Sequence, residues 1–317
     1  MLSTAFRLLA ATALLLAAPA SGSLADKPPI IDAHNQSDQY ISYDEILALM
    51  DQAKVARVIL TQRGKIWPEA LAKFALRHPD RITAAVRAAG GHYVKNRLDK
   101  YDRFITRQAR MSEFRAMGEV IMWHAEKKNV KITASGKRES APQIMVHPDD
   151  RRVKTALRLA LERKWPFIVH IEFAAAGADR DVFMTKLEDL LRANPAHPFA
   201  LIHMGQLKAK DVRRLIEAHP NIHFITSHTT PIFTKSVQPW VIMFEGKSLA
   251  PQWKSLMTRH PDRFILGIDN VLARNWRNSY VQQVRLWRRA LKELPDDVAH
   301  AVAHRNAERL WRLPPAR

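Results

Sequence analysis

Short apolar runs alternate along the chain with longer segments in which apolar residues recur at helical spacing. The runs are rich in Ile, Val and Phe and do not alternate with polar residues. That is the pattern of strands buried on both faces of a parallel sheet. Eight runs have strand length: residues 30–34, 56–61, 82–87, 119–123, 167–171, 199–203, 222–226 and 264–268. The sequence therefore predicts eight buried strands.

The segments between these runs predict amphipathic helices. Ser42 and Glu45 have the spacing of a capping box at a helix start. One-sided apolar stripes are Ile46/Leu49/Met50/Ala53, Val153/Ala156/Leu157/Ala160/Leu161, Phe183/Leu187/Leu190/Leu191 and Val281/Val284/Trp287/Leu291. Strands alternating with helices predict an α/β fold, a (β/α)₈ TIM barrel formed by a single domain of residues 26–317. A doubly wound open sheet is the alternative, because element order alone does not show closure.

The N-terminus has the pattern of a secretory signal peptide, residues 1–25. Arg7 precedes an apolar run too short to span a bilayer, and small residues follow, with cleavage after Ala25 or Ala20. No later apolar run is long enough for a membrane span. We expect a periplasmic or secreted protein with no transmembrane segment in its mature chain.

The absence of cysteine and the excess of positive charge limit the chemistry. The 317 residues include no Cys, so disulfides and thiolate metal sites are excluded. The formal net charge is +19, which favours anionic partners. The basic residues fall in separate pairs, Lys127-Lys128 among them, which we interpret as mostly solvated helix faces. No basic and aromatic stripe is present, so we expect a small, anionic substrate and no nucleic acid.

Four potential metal ligands follow apolar runs directly. His34 ends the first predicted strand, His170 the fifth, His203 the sixth, and Asp269 follows the eighth. In a barrel, the carboxyl ends of all strands meet at one face, so these side chains are expected to converge. Three imidazoles and a carboxylate suit a divalent metal ion, with zinc the leading candidate.

The chain resembles the amidohydrolase-related family of metal-dependent hydrolases and decarboxylases, from Ile30 to about Leu313. The resemblance is carried by Ile31-Asp32-Ala33-His34, Val169-His170, Ile202-His203-Met204-Gly205, Gly267-Ile268-Asp269 and Asn306-Ala307-Glu308-Arg309-Leu310. It implies that His34, His170 and Asp269 bind the metal. It also implies that His203 binds the metal, or hydrogen-bonds substrate and moves protons.

One position departs from the family pattern. The family has His-x-His at the end of the first strand, whereas this chain has His34-Asn35-Gln36. A glutamine oxygen is a weaker zinc ligand than imidazole. Gln36 is therefore either an oxygen ligand or a neighbour of the ligands in a functional variant, or the mark of a weak or lost metal site.

Other polar residues are placed at the predicted mouth of the barrel. Arg63, Arg87 and His228 follow or end the second, third and seventh strands, and we assign them to substrate binding, since arginine pairs well with carboxylates. Glu119 begins the fourth strand, so we expect it low in the barrel with a structural role. The long connections 88–117, 124–150 and 228–252 are expected to roof the site.

These assignments predict a metal-dependent hydrolase of an amide, ester or lactone. Asp269 would take the proton of a metal-activated water, and His203 would help to stabilise the oxyanion. A non-oxidative decarboxylase on the same barrel is one alternative. A non-catalytic envelope binding protein with a degenerate metal site is the other, and Gln36 is the feature that favours it.

Overall fold

The computed structural model describes residues 28–132, 138–234 and 238–316. These residues contain fourteen strands, and nine of them form the barrel wall, because two consecutive strands make up its interrupted fourth strand. The strands are β1 (Ile30–Ser37), β2 (Val55–Gln62), β3 (Ile82–Val86), β4 (Phe114–Met117), β5 (Val120–His124), β6 (Lys127–Ile132), β7 (Arg138–Ala141), β8 (Ile144–Met145), β9 (Phe167–Ile171), β10 (Phe199–Leu201), β11 (Ile222–Ile225), β12 (Phe244–Glu245), β13 (Ser248–Leu249) and β14 (Phe264–Ile265).

The wall consists of two parallel arcs. One arc has the order β1-β2-β3-β4, and the other has the order β14-β11-β10-β9-β5, with β8 antiparallel at its edge. The arcs meet at residues 118–119, where the fourth barrel strand is interrupted between β4 and β5. They meet again at the seam between β14 and β1, where the Ala33 amide donates to the Leu266 carbonyl over 2.9 Å. This ring is the predicted (β/α)₈ TIM barrel.

Helices surround the wall, most of them following the strands in the predicted alternation. They are α1 (Tyr43–Ala53), α2 (Pro68–Arg77), α3 (Gly91–Val94), α4 (Leu98–Arg110), α5 (Arg151–Arg163), α6 (Arg180–Ala193), α7 (Ala209–Ala218), α8 (Pro251–Arg259), α9 (Ala273–Asn275), α10 (Val281–Leu291), α11 (Asp296–His300) and α12 (Asn306–Trp311). The predicted cap of α1 forms, because the Glu45 amide donates to Ser42 Oγ over 3.1 Å.

The core has two parts, which follow from the alternation of side chains along each strand. The larger part lies between the strands and the helices. The smaller part fills the barrel with Ile and Ala from successive strands, and α12 closes its lower end with Leu310 and Trp311. Asn306 fixes α12 there by donating to the carbonyls of Pro261 and Phe264. Packing therefore closes the lower end and leaves the opposite face for chemistry.

The predicted signal peptide lies outside the described residues and stays a prediction. Within the described part of the chain, no helix is both long enough and apolar enough to cross a membrane.

Stability is expected to fall in mild acid because His223 is buried in β11. Burial, with added repulsion from Arg309 and Arg263, lowers the pKa of His223 to about 4. A histidine whose pKa is lower in the folded state adds to the free energy of unfolding. The full contribution is present above the pKa of the unfolded state, near 6.5, and is lost as the pH falls towards 4. The shift corresponds to about 3 kcal/mol.

Urea unfolding of the wild type and His223→Gln between pH 7 and 4 measures this loss. Gln keeps a donor for the Phe199 carbonyl, which His223 contacts at 3.3 Å. The wild type should lose about 3 kcal/mol more than His223→Gln across this range. His78→Gln, at the end of α2, is the control and should follow the wild type. Parallel curves for all three proteins would show that His223 titrates equally in the folded and unfolded states.

Candidate functional site

The seam between the first and eighth barrel strands positions the first two site residues. The Asp269 amide donates to the His34 carbonyl over 2.8 Å, and Asp32 accepts the Ile268 amide over 2.9 Å. Gly267 allows this close approach, because a Cβ there would lie 2.5 Å from Ile225 and 3.3 Å from His34. The seam therefore places His34 and Asp269 side by side at the upper face of the barrel.

Three site residues lie on left-handed turns directly after their strands. The φ angles are 54° at His203, 57° at His228 and 60° at Asp269, and none of these residues is glycine. Such conformations cost roughly 1–3 kcal/mol each and are kept where the surrounding structure enforces them. Here the turns accompany the contacts of His203 and His228 with the Asp269 carboxylate.

Three histidines surround the carboxylate of Asp269. His34 Nε2 lies 3.4 Å from Oδ1, while the Nε2 atoms of His203 and His228 lie 3.6 and 3.7 Å from Oδ2. The His203 and His228 rings stack in parallel, with centroids 4.4 Å apart. Burial is the main reason that the pKa values of both fall, that of His228 to about 4. Both rings are therefore neutral at pH 7. His228 Nε2 donates to the Asp269 backbone carbonyl over 3.1 Å, so the lone pair of that ring lies on Nδ1.

His203 and His34 differ in their remaining contacts. Ser227 Oγ lies 2.9 Å from His203 Nδ1, so the ring is held on one nitrogen while Nε2 faces Asp269. His34 Nε2 is buried and has no hydrogen-bond partner among the described residues. A buried imidazole nitrogen without a partner is costly, and a bound ion would satisfy it.

A second group of ionisable residues adjoins the first. His170 Nδ1 lies 2.9 Å from Glu119 Oε2, and its Nε2 lies 3.3 Å from Glu172 Oε1. Burial opposes charge on His170, but these two carboxylates outweigh it and raise its pKa to about 9. Lys127 Nζ contacts Glu172 Oε1 at 2.8 Å and lies over the Trp240 ring, 4.9 Å from its centroid. His170 is therefore a cation at pH 7.

The prediction that Glu119 lies low in the barrel is wrong. Its carboxylate reaches the site, where it contacts His170 and lies 3.9 Å from His34 Nε2. The reason is the interruption of the fourth strand, where Gly118 donates to the Val86 carbonyl over 2.9 Å. A Cβ at Gly118 would lie 2.4 Å from that carbonyl oxygen. Burial raises the pKa of Glu119, but the hydrogen bond and charge of His170 outweigh burial and lower it overall.

Gln36 faces the site with its amide nitrogen. Nε2 donates to Asp269 Oδ1 over 3.0 Å and to Glu119 Oε1 over 3.2 Å, so the amide bridges two carboxylates. The amide oxygen accepts from Arg63 Nη1 over 3.5 Å. This arrangement differs from the predicted oxygen ligand, because the oxygen points away from Asp269. A ligand role for Gln36 would require its amide to turn over.

The structure separates the three predicted substrate-binding residues. Arg63 contacts Gln36, and His228 joins the group around Asp269. Arg87 lies apart from both groups and donates to the carbonyls of Gly64 and Ala89.

Sequence reasoning missed Lys127, which it grouped with basic pairs interpreted as mostly solvated helix faces. It lies instead on β6, with its side chain only 18% exposed. Glu172 and Trp240 were also missed, and no periodicity marks any of the three.

The comparisons with known proteins fit this geometry. The model of the amidohydrolase family matches residues 15–313. The chain belongs to the amidohydrolase family. No curated protein sequence matches it.

Several solved structures resemble this amidohydrolase. A 2,6-dihydroxybenzoate decarboxylase matches with 13% identity and a TM-score of 0.58, covering 90% of this chain and 99% of its own. A TIM-barrel protein of Bordetella bronchiseptica matches with 15% identity and a TM-score of 0.57, covering 90% and 98%. The dihydroorotase of Saccharomyces cerevisiae matches with 11% identity and a TM-score of 0.54, covering 91% and 85%. At these identities the likeness shows the fold alone, and it agrees with the barrel described above.

The donor set of this amidohydrolase fits a divalent metal ion. Zinc bonds of about 2.0–2.2 Å in a tetrahedral array place ligand atoms roughly 3.3–3.6 Å apart. His203, His228 and Asp269 form a potential ligand group, and the two histidines lie close to this range from Asp269 Oδ2. His34 lies within this range of the other oxygen, Oδ1. His124, His170 and Glu172 form a second potential ligand group. There Lys127 already contacts the carboxylate, so the group around Asp269 fits a cation better.

The four ligands predicted from sequence therefore converge at one face but fall into two groups. His203, His228 and Asp269 form one group, and His34 adjoins it through Asp269 Oδ1, 3.4 Å from its Nε2. The His170 ring lies 5.0 Å from the His203 ring, but both of its nitrogens face carboxylates. The ligand role of His170 stays a prediction.

Proposed function

We propose that this amidohydrolase is a zinc-dependent hydrolase of amides, esters or lactones. The observation that carries the proposal is the set of three histidines around the Asp269 carboxylate. The Nε2 atom of one of them, His34, is buried without a hydrogen-bond partner among the described residues. His34, His203, His228 and Asp269 would hold the ion. When bound, a divalent cation would supply the charge that activates a water molecule and polarises a carbonyl group.

Asp269 would accept the proton of the attacking water and return it to the leaving group. Its carboxylate is oriented from several sides, by the Gln36 amide and the surrounding imidazoles. Glu119 shares the Gln36 amide, so Gln36 fixes both carboxylates relative to the seam. Lys127 adds positive charge at the same face, which favours negative charge developing on a substrate.

Bound metal and turnover of a substrate panel test the proposal. Protein purified without chelator is analysed for zinc, then assayed with esters, lactones and amides, and with aromatic carboxylates for CO₂ release. We expect zinc to copurify, and hydrolysis of at least one class to be lost on chelation and restored by zinc. His34→Ala should lower both zinc content and turnover, whereas His78→Ala, at the end of α2, should change neither.

Two outcomes would overturn the proposal. CO₂ release without hydrolysis would make the protein a decarboxylase. Ligand binding without turnover of any substrate, in zinc-loaded protein, would favour a binding protein.

A further inference from the structure

A cleft of about 270 Å³ opens at the carboxyl ends of β2 and β3, on the same face of the barrel as the site. Its walls are the loop after β2, including Lys65 and Trp67, and the loop after β3, including Arg87 and His92. Phe104 of α4 lies in the lining as well. The cleft is distinct from the groups around Asp269 and His170, whose residues do not line it.

Arg87 is held in the cleft without an acidic partner. Its Nη1 donates to the Gly64 carbonyl over 2.9 Å and its Nε to the Ala89 carbonyl over 3.3 Å. Among the described residues, no carboxylate oxygen lies within 4.0 Å of its guanidinium. A guanidinium has five N–H donors, so donors remain after these two bonds. The side chain is thus fixed in orientation and retains both its charge and its capacity to bind an anion.

Neighbouring groups in the lining add charge and a flat apolar surface. Lys65 is exposed and shares the cleft lining with Arg87, and His92 lies edge-on to Phe104, with ring centroids 5.9 Å apart. Trp67 is 70% exposed, although an indole side chain is among the most favourable to bury. A fixed cation beside an exposed aromatic surface favours a ligand that is both planar and negatively charged.

We propose that this cleft binds a planar carboxylate, with the carboxylate on Arg87 and Lys65 and the ring against Trp67. Arg63, the residue before Gly64 of the lining, contacts Gln36 in the buried site. The cleft therefore lies next to the reacting centre, and it holds the acidic end of the substrate. This last step rests on the hydrolase function, whereas binding of the carboxylate does not.

Benzoate and its neutral analogue benzamide are the probes. Tryptophan fluorescence is titrated with each and the affinities are checked by calorimetry, without any turnover. We expect benzoate to quench saturably and benzamide to bind at least about tenfold more weakly. Trp67→Phe should remove the benzoate-dependent quenching. Arg87→Met and Lys65→Met should each weaken benzoate binding by about threefold to tenfold or more, whereas Arg289→Met, on the exposed face of α10, should not.

Lys65→Met removes a charge without removing the loop contacts of Arg87, so it covers the case in which Arg87→Met misfolds. Equal affinity for benzoate and benzamide would overturn the proposal, as would unchanged benzoate affinity in Lys65→Met and folded Arg87→Met. Quenching that persists in Trp67→Phe would place the binding elsewhere and also overturn it. Because binding is measured without chemistry, an inactive protein that passes these tests would refute the hydrolase function and leave the cleft assigned.

Discussion

An Asp269→Asn variant is expected to lose hydrolysis by roughly 10²–10⁴-fold, the usual contribution of a general base. It should also retain less zinc than the wild type. Asparagine keeps the shape of the side chain but removes its negative charge and its ability to accept a proton. The carboxylate faces three imidazoles and the Gln36 amide, so one substitution acts on every contact at the centre of the site. Turnover of the best substrate and zinc content by mass spectrometry are measured together.

Asp189→Asn is the matched control, since Asp189 is exposed on α6 and pairs with Arg192 on the same helix. It should retain full turnover and zinc. If Asp269→Asn kept at least half of the wild-type turnover with its fold intact, Asp269 would not be the base. If it lost turnover while keeping a full equivalent of zinc, Asp269 would move protons without contributing to metal affinity.

The barrel could be predicted because its strands and helices are specified by local patterns. The eight apolar runs all became barrel segments, and the Ser42 cap formed where its spacing indicated. Closure was not specified locally. It depends on the β14–β1 seam and on the link through residues 118–119, which are contacts between segments far apart in sequence.

The site could be predicted in part, for a similar reason. The proximity of His34, His203 and Asp269 could be predicted because the ends of parallel strands converge whatever lies between them. His228 and Asp269 both have a left-handed backbone where they meet. The spacing of hydrophobic residues along the sequence gives no sign of that conformation. Glu119 was misplaced because the fourth strand is interrupted at Gly118. Lys127 was misplaced because it begins β6, which follows β5, and contacts Glu172 of the site. Side chains that reach the site from interrupted strands and loops can be placed only when the tertiary structure is known.

Gln36 stands where the chain departs from the pattern of its family. Gln36→His is expected to tighten zinc binding by about tenfold or more, because imidazole is a better zinc ligand than an amide. Residue 36 points to the same side of β1 as His34, as the Gln36 contact with Asp269 confirms. The substitution also removes an amide that now bridges Glu119 and Asp269, so one histidine N–H must replace two donated bonds. The metal-free variant should therefore be less stable than the wild type, and its melting temperature should rise further on addition of zinc.

Gln36→Met separates the two effects, because methionine removes the bridge without adding a nitrogen ligand. Zinc affinity is measured by competition with a chelator, alongside melting temperature with and without zinc. If the imidazole acts as a ligand, only Gln36→His binds zinc more tightly. If freeing the two carboxylates is what matters, Gln36→Met also binds more tightly, and the glutamine acts by restraining them. A Gln36→His protein that binds zinc no better than the wild type would contradict the prediction and show that position 36 does not reach the ion.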